Sequence, residues 1–182
     1  MRDSPPRLDT PRLTLRPPLA EDFDAWAAFM ADPASAEFLG GTQPRSAAWR
    51  GFMTMAGSWS LHGFAMFSVI ERSTGRWIGR VGPWCPEGWP GTEVGWGIVQ
   101  EFWGRGYATE AATAAIDWAV ETLGWTDIIH VIEPRNARSQ AVARKLGSRN
   151  RGPGAMPAPF ADVVVDIWGQ SAADWRSSRR NP

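Results

Sequence analysis

Between Thr92 and Ala112 a short strand pattern runs into a glycine loop and then into a helix pattern, and no other stretch limits the fold as strongly. The strand Glu93 to Val99 leads to Trp103-Gly104-Arg105-Gly106, and a helix follows from Gly106 to about Leu123. Glycines at that junction leave the first-turn amides of Arg105 to Thr109 unpaired at the positive end of the helix dipole. They also remove the Cβ atoms that would hold a bulky diester off the backbone, so the junction suits a phosphate or pyrophosphate. A P-loop is excluded, because Gly106 is followed by Tyr107 and Ala108 rather than by Lys and Ser or Thr. A dinucleotide fingerprint fits less well, with Thr109 where its third Gly or Ala belongs. Coenzyme A is the third candidate.

The rest of the chain frames that unit. Leu13 and Leu15 alternate with Arg12, Thr14 and Arg16, which predicts a strand with one polar face. Apolar residues at helical spacing predict helices over Glu21 to Ala31 and from about Arg45 to Leu61. Phe64 to Ile70 and Trp77 to Gly82 read as a hairpin closed through Gly75, and Asp127 to Ile132 and Val163 to Trp168 as later strands. Asn136 to Leu146 reads as a helix capped by Gly147. Ser148 to Asp162 predicts a weak strand plus a loop, and Ser177 to Pro182 a frayed end. Together these give one α/β domain with a mixed sheet. The helix face Ala108, Ala112, Ala115 and Ala119 is narrow enough to pack close to that sheet.

Composition removes several classes of function. Nineteen basic and nineteen acidic residues leave no electrostatic footprint for nucleic acid or an acidic membrane. Cys85 is the lone cysteine, so neither an internal disulfide nor a thiolate zinc site is expected, and a reducing compartment, the cytoplasm, is. No signal-peptide core is read at Met1 to Pro11, and no run of about 18 apolar residues occurs. Twelve tryptophans against one tyrosine is the unusual number. Core filler is one reading of it and an aromatic substrate pocket the other.

The run Trp103 to Ala111, preceded by Glu93 to Trp96 and followed by Asn136-x-x-Ser139 and Lys145-Leu-Gly147, resembles the GNAT N-acetyltransferases. The likeness extends from about Leu13 to Trp168 and includes the opening Thr10-x-Arg12-Leu13 strand. It is closest to the RimJ/RimL-type ribosomal-protein N-terminal acetyltransferases. The resemblance implies a single α/β (α+β) domain over residues 8–170, with a mixed, mostly antiparallel central sheet of about six to seven strands flanked by helices. Residues 171–182 are then a partly frayed tail. It implies acetyl-CoA as cofactor and a primary amine as acceptor, either a protein N-terminus or a small molecule. The enzyme would be a monomer or homodimer, without nucleic acid, membrane or metal.

Residue by residue, the acyl-CoA loop pattern falls on Glu101-x-x-Gly104-x-Gly106, with Glu101 in place of the usual Gln or Arg. The resemblance thus assigns Gly104, Arg105, Gly106, Tyr107, Ala108 and Thr109 to the pyrophosphate, although Tyr107 also reads as structural. It assigns Ile98, Val99, Asn136 and Ser139 to the pantetheine arm. By capping preference alone, Asn136 reads equally as a plain N-cap.

Acetyl transfer to an amine needs a base for the amine proton and a donor for the leaving sulfur. Glu93 is the candidate base, acting through a water, on the strand face it shares with Gly95 and Gly97, where bare backbone could lie beside a thin chain. Ser139 is the candidate donor, because Ala141, Val142 and Ala143 occupy the region where many relatives carry a tyrosine. The glutamate that RimL-type relatives carry after Lys-Leu-Gly is also missing. These two gaps keep a non-catalytic acyl-CoA-binding domain as the alternative. Trp49, Trp84 and Trp89 are the candidate acceptor contacts, joined by Phe38, Trp59 and Phe64. His130 is an outside candidate for a base, but among Ile128, Ile129 and Val131 it reads first as a strand-end residue facing solvent.

Overall fold

The structure, a computed structural model, describes residues 6–180. A two-residue strand β1 (Leu8–Asp9) and β2 (Leu13–Arg16) open the chain. A 3-10 turn at Ala20–Asp22 leads into α1 (Phe23–Ala31), followed by the single turn α2 (Pro33–Ala36) and by α3 (Arg45–His62). The strands β3 (Phe67–Glu71), β4 (Trp77–Trp84) and β5 (Glu93–Ile98) precede α4 (Tyr107–Glu121). Then come β6 (Asp127–Ile132), α5 (Ala137–Lys145), β7 (Arg149–Gly154), β8 (Val165–Ser171) and α6 (Ala172–Arg180).

The strands form one eight-stranded sheet in the order β1-β2-β3-β4-β5-β6-β8-β7. The β5–β6 pair is parallel and every other pair antiparallel. The count exceeds the expected six to seven because the two-residue β1 also pairs, at the edge beside β2, while the weak strand expected after Ser148 is β7 at the opposite edge, where its Gly and Pro are tolerated. Against one face packs α4, its Ala111, Ala112, Ala115 and Ala119 fully buried with Leu13, Leu15, Val81, Val94 and Ile116. The other face carries α1 and α3 through Trp26, Phe29, Met30, Phe52 and Trp77.

Two expectations change. The second face of β2 is covered rather than wet. Thr14 is buried there, and Arg16 Nη1 and Nη2 grip buried Asp22 at 2.7 and 2.8 Å. Asp22 also accepts from Ser68 Oγ (2.7 Å) and from Leu19 N–H (2.9 Å), so one carboxylate fixes the entry to α1 on the sheet. At the other end, the residues expected to fray are helical through Arg180, while Asn181 and Pro182, like Met1 to Pro5, lie outside the described residues. α6 holds because Trp175 is buried and its Nε1 donates to Asp117 of α4 at 2.8 Å.

Emptying a Trp-sized core site costs about 3–5 kcal/mol. Trp175→Ala should therefore lower unfolding stability by that order in urea denaturation, and a loss below about 1 kcal/mol would show that α6 is not part of the core.

Candidate active site

β5 and β6 start as a regular parallel pair. Ile129 N–H donates to Thr92 O at 3.0 Å, in register with Glu93. Two residues on, a continued ladder would join Val131 N–H to Val94 O. Neither group does this. Val94 O instead accepts from His130 Nδ1 at 2.7 Å, and Val131 N–H donates to Glu93 Oε1 at 3.1 Å. The strands then diverge, with both backbone groups satisfied by side chains. No bulge in β5 is involved, since its pairing with β4 runs unbroken from Trp84↔Glu93 to Gly79↔Ile98.

Glu93 is only 6% exposed. Burial pushes its carboxyl up to about 7, against the pull of hydrogen bonds from Val131 N–H and Trp89 Nε1 and of the nearby Arg80 charge. His130, expected at a solvent-facing strand end, is fully buried because β6 lies between β5 and β8. Burial pushes its imidazole down to about 4, so it is neutral, with its proton on Nδ1 facing Val94 O. Nε2 then accepts from Ser148 Oγ (3.0 Å), which in turn accepts from Gln170 Nε2 (3.1 Å).

The glycine loop is built as the sequence implied. Gly104 and Gly106 take φ of +73° and +81°, and Gly106 caps α4 without a side-chain acceptor. The first helical bond is Glu110 N–H to Gly106 O, which leaves the amides of Tyr107 to Thr109 without helical partners. The start of β2 holds this end in place. Arg12 and Thr10 bind the Glu110 carboxylate at 2.6 Å each, and Arg12 Nη1 donates to Arg105 O at 2.9 Å. Tyr107 is anchored too, its hydroxyl donating to Glu71 Oε1 at 2.5 Å beneath the Arg12 guanidinium.

One cleft of about 930 Å³ joins these parts. Gly104, Gly106, Tyr107, Ala108 and Thr109 line it, as do Ile98, Asn136 and Ser139 in its middle and Glu93, Trp84 and Trp89 further on. Asn136 is the N-cap of α5, accepting from Ser139 N–H at 3.0 Å. Ser139 Oγ accepts from Trp96 Nε1 at 3.2 Å. Arg105 and Val99 are not on the lining. Val99 N–H bonds to Ile78 O on β4.

Among the aromatic candidates Phe38 lines the cleft, but Trp49 does not. The cleft-facing side of α3 is Gly51, Thr54 and Met55, and Trp49 packs edge-on against Phe23 with 46% of its surface exposed. Trp59 is half-buried and packs on the core against Phe67 and Trp118, and Phe64 lies on Trp125. The room beside Gly95 and Gly97 is also taken: a Cβ there would lie 2.7 Å from Met66 Cε and 2.9 Å from Phe29 Cζ. Sequence reasoning missed Arg80, Trp26 and Met66, which line the cleft. The alternation of β4 was the available signal for Arg80, because it places the residue on the Glu93 face opposite Gly97.

The model of the GNAT acetyltransferase domain matches residues 12–149. Uncharacterized N-acetyltransferase p20 of Bacillus licheniformis is 30% identical over 148 residues, which cover 80% of this chain and 83% of that protein. The acetyltransferase from Agrobacterium tumefaciens str. C58 superposes with a TM-score of 0.81 at 34% identity, over 93% of this chain and 96% of that one. RimJ of Mycobacterium smegmatis, solved in complex with CoA-disulfide, shares the fold with a TM-score of 0.68 at 18% identity, over 89% and 83% of the two chains.

The two buried titratable groups act on stability in opposite directions. Glu93 holds its proton more tightly folded than unfolded, so its contribution is lost as pH rises from about 4.5 to about 7. His130 resists protonation when folded, so its contribution is present above about 6.5 and lost as pH falls towards 4. Glu93→Gln removes only the first. Its stability relative to wild type should climb with pH between about 4.5 and 7 in urea melts, and a pH-independent difference would show that the carboxyl titrates normally.

Proposed function

The chain belongs to the GNAT acetyltransferase family, and on that premise we propose that it transfers an acetyl group from acetyl-CoA to a primary amine, by direct attack within a ternary complex. The observation that carries this reading is the buried Glu93 carboxyl, pushed up to about 7, on the same cleft as the unpaired amides of α4.

The residues present fit coenzyme A. Tyr107 to Thr109 would offer their amides to the pyrophosphate, and Gly104 and Gly106 leave the approach to the backbone clear. Where β5 leaves β6, alternate backbone groups of β5 face the opening. Val94 O is taken by His130 and Ile98 O by Trp103 Nε1 at 2.7 Å. The same alternation puts Trp96 N–H and C=O and Ile98 N–H on the open edge, where the amides of a pantetheine arm could pair as a strand would. Asn136 and Ser139 border the same stretch. When bound, acetyl-CoA supplies the acetyl group as an activated thioester.

The protein supplies the proton transfers. A carboxyl titrating near 7 is half ionised at neutral pH and basic enough to take the amine's proton through a water as the nitrogen attacks. Trp89 and Val131 orient that carboxylate. Ser139 Oγ already accepts from Trp96, so its own O–H is free to donate to the departing sulfur.

Two measurements test the proposal. Gly106→Trp should abolish acetyl-CoA binding in calorimetry while the circular dichroism stays native, and unchanged affinity would refute the loop assignment. In wild type kcat/KM should rise with pH through about 7 and then level off. Glu93→Gln should cost about 10²–10⁴-fold in rate and flatten that rise, whereas an unaltered pH profile would take Glu93 out of the base role. Binding of acetyl-CoA without CoA release from any amine would overturn the enzymatic reading.

A further inference from the structure

Arg80 is a buried cation of the cleft that feels the charge of Glu93 but makes no ion pair with a carboxylate among the described residues. It lies in the middle of β4, opposite Gly97, and its Nη1 donates to the thioether of Met66, a weak acceptor. Its Nε is buried and has no partner among the described residues. The guanidinium sits 5.2 Å over the ring of Trp26, whose own Nε1 is also buried without a partner, and Trp26 is 4% exposed. Both side chains line the cleft, and both can only donate. Arg138, another cation on the cleft wall, already has Glu37 and the Trp103 ring. A guanidinium withdrawn from water among Met66, Trp26 and Met30 is costly unless an anion meets it.

We propose that Arg80 and Trp26 form the subsite for a carboxylate on the acceptor, and that the acceptor is a small apolar amino acid rather than a protein N-terminus. The inference rests on the acetyl-transfer reading for the amine end of the same molecule. Arg80 and Glu93 share one face of adjacent strands, four residues apart along the β4–β5 register. At strand rise this puts their Cα atoms about 13 Å apart, a span that two long side chains narrow to the length of one amino acid. A guanidinium fork matches a planar carboxylate with two parallel hydrogen bonds. Met66, Trp84 and Trp89 give this part of the cleft large apolar walls, with Phe160 edge-on to Trp89, while Glu87, Gln43 and Thr54 are also on the lining. A peptide N-terminus presents an uncharged carbonyl at the corresponding position, and this would leave the cation unpaired.

The test compares L-phenylalanine, L-leucine and L-methionine with their carboxamides and with a tetrapeptide amide. CoA release is measured in one arm, and calorimetric binding to the CoA-saturated protein in the other. The free acids should exceed their amides by about tenfold or more in kcat/KM, since a site built to bond a polar group rejects the analogue lacking it. Arg80→Met should erase that ratio, mainly through the KM of the acid, without changing acetyl-CoA affinity. Arg80→Lys should keep part of it. Equal use of acids and amides by wild type, preference for the peptide amide, or an acid preference that survives Arg80→Met would each overturn the proposal. The calorimetric arm separates the two readings. Acid binding that Arg80→Met abolishes, with no turnover of any amine, would retire acetyl transfer and keep the carboxylate subsite. Turnover of amides without acid preference would do the reverse.

Discussion

The backbone groups Val94 C=O and Val131 N–H would carry the β5–β6 pairing onward, and His130 and Glu93 claim one each. A parallel pair cannot simply open inside a protein, because each buried donor or acceptor left unmade costs about 1–3 kcal/mol. Side-chain substitution makes the opening affordable, and the middle of the cleft, from Trp96 to Ser139, depends on it. Burial then acts on both substitutes. The carboxyl is pushed up and the imidazole down, so the arrangement stays close to neutral instead of enclosing a full ion pair.

That economy explains the division of labour along the cleft. At the α4 end, unpaired backbone amides and the positive end of a helix dipole make a local field that would suit a negative charge. In the middle, Ser139 and Trp96 form a neutral pair. Beyond Glu93 the walls are tryptophan and methionine, and Arg80 holds a charge there that burial lowers to about 10 without neutralising. A chain of zero net charge thus carries three local electrostatic environments on one surface.

The sequence made local things legible and cross-chain things illegible. The strand Asp127 to Ile132, the glycine junction and the buried Ala112, Ala115 and Ala119 could be read because periodicity and turn chemistry are local. Gly95 and Gly97 were placed on the right face, but Met66 and Phe29 fill the space that they leave, and only packing decides which atoms enter. His130 was misread because nothing local in Asp127 to Ile132 says that β8 returns to cover β6. Trp49 was misread because an interrupted apolar stripe leaves the rotation of α3 to tertiary contacts. Trp175 was hidden in a charged tail whose partner, Asp117, lies far back in the chain.

The tie between the start of β2 and the start of α4 bears on how the protein is made. Arg12 N–H reaches Glu110 across 98 residues of chain, and Arg12 Nη1 reaches Arg105 O across 93. Such closures are entropically expensive, and they set in late. The contacts that hold the loop around Gly104 and Gly106 from the β2 side can therefore form only once the start of β2 has met α4, an element synthesised well after it. A nascent chain emerging from the ribosome would hold Thr10 and Arg12 waiting for partners about a hundred residues downstream, so this brace on the glycine loop would close late in synthesis.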